Sequence, residues 1–349
     1  MVGGIRSELF IRNSKLSSPY SMIMRQTRGL GLFSGGLDSM LAALVLRQQD
    51  IEVTGLVFVT PFFDAVQAEK SAAAIGLPLR IEDLTDRFLP LIFDPPHGFG
   101  RWMNPCIDCH LLMLRAAGQI METEGYDFLF TGEVLGQRPF SQNKGSLNLI
   151  AKQSGYPDLL VRPLSARLLK ETRPEREQLL DRQQLLNISG RGRKRQMELA
   201  TRFGLTSYPA PAGGCLLADP KYAARLQDLL QHQPRFERRD LELLQWGRHF
   251  RLSSDIKLIV GRDQRDNLAI EPLVRPEDAV IKVQHYPGPL VLLPYSSPNA
   301  DLRVAAEICV SYSNAPFGEE IAVAVTGRPG QQILISRRCR RDAFQGLLI

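Results

Sequence analysis

The chain has 349 residues, enough for two or three domains, and 44% of them are apolar, which is sufficient for real hydrophobic cores. The formal net charge of +6 favours an anionic partner only weakly, and no apolar run reaches the roughly 18 residues that a membrane span requires. Five cysteines in a chain of this length do not resemble the framework of a secreted, disulfide-rich protein.

The first 28 residues carry five basic side chains against one acidic one, together with several serines. This composition is typical of a transit peptide, but the apolar face of a targeting helix is poorly developed. We therefore expect residues 1–28 to be a disordered extension, or the result of an upstream start with the functional chain beginning near Met22 or Met24.

A glycine turn between a strand and a helix is the most informative feature of the sequence. An apolar run at 30–33 precedes it, a helical pattern at 40–46 follows it, and the turn itself reads Ser34, Gly35, Gly36, Leu37, Asp38, Ser39. Such a turn aims backbone N–H groups inward beside a helix N-terminus, which suits a phosphate group. It is not a Walker A loop, because no Gly-Lys-Ser/Thr follows, and it lacks the third glycine of a dinucleotide fingerprint.

Strands and helices alternate through the first half of the chain. In chain order we expect a strand at 53–59, a helix at 64–74, a strand at 77–82, a helix at 108–124 and a strand at 128–132. This alternation predicts an α/β fold with a doubly wound parallel sheet, whose ligands lie beyond the carboxyl ends of the strands.

Three of the cysteines are candidates for a reactive or metal-binding site. Cys106 and Cys109 are three residues apart where a helix begins, and Cys215 lies in a segment rich in proline and glycine. A helix N-terminus lowers thiol pKa values, so we expect reactive or metal-bound thiolates. A lone CxxC pair is compatible with a redox pair, half of a zinc site completed by a residue such as His110, or cluster ligands. We expect Cys309, in an apolar helical pattern, to be buried.

Charged residues follow the predicted strand at 128–132 and recur further along. Glu133 and Arg138 can read a nucleotide or substrate phosphate, or they can form a surface ion pair. A basic run precedes an amphipathic helix at 196–203; its members, which we expect to contact RNA phosphates, are Arg191, Arg193, Lys194 and Arg195. A solvated helix face is the alternative for this run. Arg162 and Arg167 are similar RNA candidates.

The pattern of predicted elements changes after a domain boundary that we place at 231–240. We expect strands at 257–262, 280–284, 289–293, 321–325 and 332–335, and a helix at 302–312. This pattern predicts a smaller C-terminal α+β domain.

With the glycine turn, the CxxC pair and the distant third cysteine together, residues 29 to about 230 resemble the PP-loop ATP-pyrophosphatases, in the tRNA sulfurtransferase branch near the 2-thiouridylases and 4-thiouridine synthetases. The resemblance implies an adenine nucleotide alpha hydrolase-like fold that uses ATP and Mg²⁺. It implies catalytic roles for Asp38, Cys109 and Cys215, and ATP binding by the loop from Ser34 to Ser39 and by Phe58, Gly132 and Glu133.

Relatives with all three cysteines are similar to the [4Fe-4S]-dependent thiolases. The resemblance therefore implies that Cys106, Cys109 and Cys215 hold a cluster with one open iron, while a persulfide on Cys109 or Cys215 is the alternative carrier of sulfur.

The C-terminal part resembles the NFACT-R type of RNA-binding domain through 259–267, 287–289 and 305–306. This likeness implies RNA contact by Arg262, although Asp263 stands where relatives often carry Asn. We thus expect an extension at 1–28, a PP-loop domain at 29–230 with a mainly helical, tRNA-facing part at 160–230, and an RNA-binding domain at 235–349.

Together these features predict a cytosolic, ATP-dependent tRNA sulfurtransferase that adenylates a nucleobase carbonyl, uridine being the expected base, and replaces its oxygen with sulfur. Its partners would be tRNA and a donor of sulfide or persulfide. Two alternatives stay open: a PP-loop enzyme that adenylates a small molecule, and a non-catalytic RNA-binding protein.

Overall fold

A five-stranded parallel sheet forms the centre of the N-terminal half. The computed structural model describes residues 25–210, 214–294, 302–327 and 330–349, so most of the predicted extension at 1–28 lies outside the described residues. The strands follow the order β3-β2-β1-β4-β5, and their bounds are β1 Arg28–Leu32, β2 Glu52–Val59, β3 Leu79–Asp83, β4 Phe128–Thr131 and β5 Leu160–Val161. The short β5 was not predicted.

Helices cover both faces of this sheet because its strands are apolar on both sides. The helices are α1 Leu37–Arg47, α2 Val66–Ala74, α3 Thr85–Phe88, α4 Cys106–Glu124, α5 Lys144–Ser154, α6 Arg173–Arg176 and α7 Lys194–Arg202. On one face Phe128 and Phe130 pack with α1, α2 and α7, and on the other face Leu129 packs with α4 and α5. The predicted doubly wound α/β fold is confirmed.

The strand order places a switch point between β1 and β4. These two strands are direct neighbours, pairing Gly31 with Phe130 and Leu32 with Thr131, whereas β2 and β3 extend the sheet in the other direction. Loops that leave the carboxyl ends of β1 and β4 therefore diverge and leave a crevice between them. The glycine turn follows β1 and Gly132 follows β4, so both predicted binding segments border this crevice.

A second sheet, with six antiparallel strands in the order β11-β10-β8-β9-β7-β6, forms the C-terminal part. Its strands are β6 Arg248–Ser253, β7 Ile256–Val260, β8 Ala279–Val283, β9 Val291–Leu293, β10 Glu320–Gly327 and β11 Gln332–Arg337. Helix α11, Leu302–Ser311, packs on this sheet, and Cys309 on it is fully buried as predicted. The smaller α+β domain is thereby confirmed.

Two helices connect the halves, α8 at Pro220–His232 and α9 at Arg238–Leu243. The carboxylate of Asp228 on α8 accepts hydrogen bonds from Arg251 at 2.6 Å and Lys257 at 3.1 Å, both on the second sheet. The Tyr222 hydroxyl donates to the Leu241 carbonyl oxygen on α9. Helix α8, which we assigned to the PP-loop domain, thus also contacts the C-terminal sheet.

The remaining elements are short. Helix α10, Gln264–Ile270, was not predicted; the Asp263 side chain caps it by accepting from the Asp266 backbone N–H. The 3₁₀ helices lie at Leu89–Ile92, Ala166–Leu168, Arg182–Gln184, Leu216–Ala218, Glu271–Leu273 and Arg341–Leu347. Among the described residues, every helix is too short or too polar to cross a membrane.

Candidate active site

The glycine turn after β1 has the conformation that its sequence predicts. Gly35 has a φ of +73°, and a Cβ at this position would lie 2.6 Å from the Gln67 carbonyl oxygen, so only glycine fits there. The Ser71 hydroxyl fixes the turn by donating to the Gly35 carbonyl oxygen at 2.7 Å. The turn is therefore rigidly packed against α2.

The N-terminus of α1 is free to receive an anion. Gly36 occupies the cap position in an extended conformation, and in the described part of the chain no side chain hydrogen-bonds as a cap there. The Ser39 hydroxyl donates back to the Gly36 carbonyl oxygen, whereas Ser34 is exposed. Uncapped N–H groups and the positive end of the helix dipole suit a phosphate.

Gly132 lies directly against the turn. A Cβ at Gly132 would lie 2.5 Å from the Ser39 nitrogen and 2.6 Å from the Asp38 carbonyl carbon. A larger residue at this position would push the end of β4 away from the loop. Phe58, by contrast, is buried in the core beneath the sheet edge. ATP binding by Phe58 and Gly132 stays a prediction.

Asp38 is partly buried among polar side chains. Gln137 donates to its Oδ2 at 2.8 Å, while Oδ1 is buried without a hydrogen-bond partner among the described residues. Burial raises the pKa of Asp38 above its ordinary value, although Gln137, Arg193, Arg138 and Gln196 each oppose this effect. A half-buried carboxylate with one free oxygen is well suited to a cation or a polar ligand.

Glu133 lies in a buried ionic cluster, not in a surface pair with Arg138. Its Oε2 accepts from Arg162 Nε at 2.8 Å and from the Thr131 hydroxyl at 3.1 Å, and its Oε1 is 2.9 Å from His110 Nδ1. Burial alone would raise the pKa of Glu133, but Arg162 and His110 outweigh it and hold the pKa well below its usual range. Arg162 is itself buried, so the expectation that it contacts RNA is wrong.

The three cysteines lie near one another at the same edge of the molecule. Cys109 and Cys215 pack against one hydrophobic cluster, and the turn after Cys215 is anchored where the Leu216 N–H donates to the Phe62 carbonyl oxygen at 2.9 Å. The Asn104 amide donates to the Cys106 sulfur at 3.2 Å. The fold thus joins a CxxC pair at the start of α4 with a third thiol far along the chain.

Burial is the largest influence on the acidity of Cys109 and Cys215. Burial, followed by the neighbouring thiols of Cys215 and Cys106, raises the pKa of Cys109 well above its ordinary value. Burial likewise raises the pKa of Cys215 to about 11, although Arg138 is close enough to oppose this shift. Apolar surroundings thus oppose the charged form that the helix N-terminus favours at Cys109, and a reactive or metal-bound thiolate at Cys106 or Cys109 stays a prediction.

The predicted RNA contacts fall into two groups. Arg138, Arg191, Lys194 and Arg195 are exposed, although Arg195 also donates to Asn187. Arg193 is less exposed than its neighbours and lies close enough to Asp38 for its charge to lower the pKa of that carboxyl, and Arg262 is held by the carboxylate of Asp266. RNA contact by these residues stays a prediction.

Within the described ranges, no three histidine, cysteine, aspartate or glutamate side chains are grouped in a way that could hold a metal ion.

Sequence reasoning missed Gln196 on α7, a fully buried amide beside Asp38. Its position could have been found, since it shares the apolar helical stripe of Leu199, Ala200 and Phe203 at the spacing of one face.

Comparison with known proteins agrees with the two-part organisation. Residues 24–168 match the family model of the thiamine biosynthesis protein ThiI. Residues 247–341 match the model of the NFACT protein RNA-binding domain. The resemblances stated for the two halves of the chain are thereby confirmed.

Named relatives are similar to the N-terminal half. The tRNA-specific 2-thiouridylase MnmA of Marinobacter nauticus is 30% identical over 139 residues, covering 36% of each chain. The tRNA sulfurtransferase of Desulfurococcus amylolyticus is 29% identical over 147 residues, covering 39% of this chain and 29% of that one. The chain thus spans about a third of the length of the curated relatives it matches.

Among solved structures, a 4-thiouridine synthetase–RNA complex with bound ATP aligns with a TM-score of 0.37 at 20% identity, covering 62% of this chain and 52% of that one.

Proposed function

We propose that this protein thiolates tRNA in an ATP-dependent reaction. The observation that carries the proposal is the closeness of two chemistries: an anion-binding turn and three neighbouring thiols lie at the same sheet edge. Arg138 lies near both, since its charge acts on Asp38 and on Cys215. The similarity of residues 24–168 to ThiI and to tRNA thiouridylases supports the same conclusion.

The turn and its surroundings supply the nucleotide chemistry. The uncapped N-terminus of α1 and the backbone from Ser34 to Ser39 bind the phosphate chain of ATP, and Asp38 Oδ1 is free to bind Mg²⁺, which prefers carboxylate and phosphate oxygens. The carbonyl oxygen of a uridine attacks the α-phosphate and pyrophosphate departs. The oxygen then leaves as part of AMP when a sulfur nucleophile attacks the base carbon.

The thiols supply the sulfur side of the reaction. Three neighbouring thiols, two of them in apolar surroundings, match in donor type and number a [4Fe-4S] cluster bound by Cys106, Cys109 and Cys215, although no group of the described side chains is arranged to hold a single metal ion. Such a cluster would offer one open iron for sulfide. Anaerobically purified protein should then contain about four irons and four sulfides per chain. Iron-free protein that still thiolates tRNA would instead assign the sulfur to a persulfide on Cys109 or Cys215.

The partners follow from this chemistry. We propose that the exposed basic residues near α7 and the C-terminal domain bind tRNA, which is consistent with the match to an NFACT RNA-binding domain. A carrier of sulfide or persulfide is needed as the second substrate. We place the reaction in the cytoplasm because the five cysteines form no disulfides and the site requires reduced thiols.

Product analysis tests the nucleotide part of this proposal. With tRNA and sulfide present, wild-type protein should convert ATP to AMP and pyrophosphate. The Asp38→Asn variant should lose this activity yet remain folded, because Asp38 is a half-buried carboxylate whose loss relieves burial of a charge. Formation of ADP would contradict the assignment.

A further inference from the structure

Helix α7 brings a fully buried amide to the nucleotide turn. Gln196 is 0% exposed, although glutamine is rarely buried in this way. Leu199 and Ala200, on the same helix face, share a core with Leu37 and Met40 of α1. The apolar residues therefore fix α7 against the helix that begins at the turn, and Gln196 is held beside Asp38.

Several buried polar atoms near Asp38 have no hydrogen-bond partner among the described residues. They are Oε1 and Nε2 of Gln196, Nε of Arg193, Oε1 of Gln137 and Oδ1 of Asp38. The Gln196 amide is nevertheless close enough to the Asp38 carboxylate to lower its pKa, so the oxygens of Gln196 and Gln137 and the Nε of Arg193 are the atoms most in need of a partner. They come from three separate parts of the chain: the turn, the loop after β4, and the start of α7. Buried polar groups in folded proteins are normally paired, and leaving them unpaired destabilises the protein. A cluster of such groups therefore points to a polar ligand.

The chemistry of these atoms defines the class of ligand. Three of them are oxygen acceptors, one from a carboxylate and two from amides, which are the oxygen types that divalent cations accept. The N–H groups of Arg193 and Gln196 are donors, and Arg193 adds a positive charge, which suits phosphate oxygens. A phosphate chain carrying a divalent cation satisfies both sets at once.

We propose that Gln196 and Arg193 of the α7 region are nucleotide-site residues that bind the phosphate chain of ATP and its divalent cation together with Asp38 and Gln137. This inference rests on the proposed function for the identity of the ligand as ATP. It divides the basic run, because Arg193 serves the nucleotide while its exposed neighbours Arg191, Lys194 and Arg195 stay available to RNA.

Calorimetric titration with Mg²⁺ and α,β-methylene-ATP, which cannot be split between the α- and β-phosphates, measures this binding directly. Gln196→Met preserves the size of the side chain and removes its polar atoms, and Arg193→Met removes the guanidinium. We expect each variant to bind the analogue at least about tenfold more weakly, the effect of losing one hydrogen bond to a charged group. The matched control Lys194→Met changes an exposed neighbour and should bind within about twofold of wild type.

Thermal unfolding of the ligand-free variants separates a binding role from a structural one. If Gln196 serves the ligand, Gln196→Met should melt at a temperature no lower than that of wild type, since a buried amide with an unpaired oxygen is replaced by an apolar group of similar shape. A lower melting temperature together with weaker binding would overturn the inference, and so would wild-type affinity in both variants. Should Gln196→Met fail to fold, it would assign Gln196 a structural role, and Arg193→Met would still test the phosphate contact.

The same titrations distinguish failure of this inference from failure of the proposed function. Wild-type protein that does not bind the analogue at all would contradict both. Wild-type protein that binds it and needs Gln196 and Arg193, but never forms AMP, would support this inference and contradict the proposed reaction.

Discussion

At the residue scale, the sequence predicted the location of Glu133 but not the side chains that it contacts. Its place after a buried strand correctly indicated the sheet edge where ligands bind, but both of its carboxylate oxygens already accept hydrogen bonds from protein groups. The partners, His110 on α4 and Arg162 after β5, are distant along the chain, so no local pattern could have identified them. Glu133 thus stabilises the crevice whether or not it also contacts ATP.

Substitution of Glu133 by Gln should strongly destabilise the protein. The change leaves the buried guanidinium of Arg162 without its counter-charge, which typically costs about 3–5 kcal/mol in the free energy of unfolding. Urea unfolding at neutral pH measures this loss. As a matched control, Glu177→Gln removes an exposed carboxylate 3.7 Å from Arg173 and should cost about 1 kcal/mol or less.

The pH dependence of this difference has a defined sign. The pKa of Glu133 is lowered in the folded protein, so its contribution to stability is complete above its ordinary value of 4.5 and is lost as the pH falls below it. The stability gap between wild type and Glu133→Gln should therefore shrink in acid. A gap that stays constant from pH 7 down to pH 3 would show that the ion pair is not its source.

At the element scale, the α7 region has a buried part near the nucleotide turn and an exposed basic part, which the sequence did not distinguish. The helix was predicted correctly from its amphipathic pattern, and the structure has it at Lys194–Arg202. The basic run before it was interpreted as one feature, either an RNA contact or a solvated face, but Arg193 is partly buried near Asp38 while Arg191 and Lys194 are exposed. Charge composition shows neither direction nor burial, which depend on how α7 packs against α1.

Charge reversal of the exposed part of this run tests its role in RNA binding. Arg191, Lys194 and Arg195 replaced together by Glu should weaken tRNA binding and reduce its dependence on salt, by a log–log slope of roughly 0.7 to 0.9 for each phosphate that the variant no longer binds. Titration of labelled tRNA at several salt concentrations measures both quantities. Binding of α,β-methylene-ATP should not change, since these side chains are exposed.

Equal tRNA affinity and an equal salt slope in the triple variant would assign RNA binding to other surfaces. In that case Arg262 would be a weak candidate for the RNA contact, because Asp266 already pairs with its guanidinium.

At the scale of the whole molecule, the sequence predicted the two architectures but not how they join. Hydrophobic runs and the glycine turn were sufficient to predict the parallel sheet. Apolar strands that alternate with amphipathic helices can bury their apolar faces in only a few architectures. The connection through α8 was not foreseen. It depends on buried pairs such as Asp228 with Arg251 and Lys257, whose members belong to different halves of the chain.

The convergence of the thiols also belongs to this scale. The sequence predicted that Cys215 would join Cys106 and Cys109, and in the structure Cys215 and Cys106 lie close enough to Cys109 to raise the pKa of its thiol. What it could not predict is the apolar surroundings of Cys109 and Cys215, contributed by residues such as Phe62 and Tyr222 from separate elements. Burial in those surroundings raises the pKa of both thiols.

The central claim is that one site joins ATP cleavage to replacement of a nucleobase oxygen by sulfur. Mass spectrometry of nucleosides from unmodified tRNA, incubated anaerobically with the protein, Mg²⁺, ATP and sulfide, tests it most directly. We predict a thiolated nucleoside that forms only with ATP and that disappears with Asp38→Asn or Cys215→Ala. Unmodified nucleosides despite AMP formation, or thiolation that proceeds without ATP, would contradict the account.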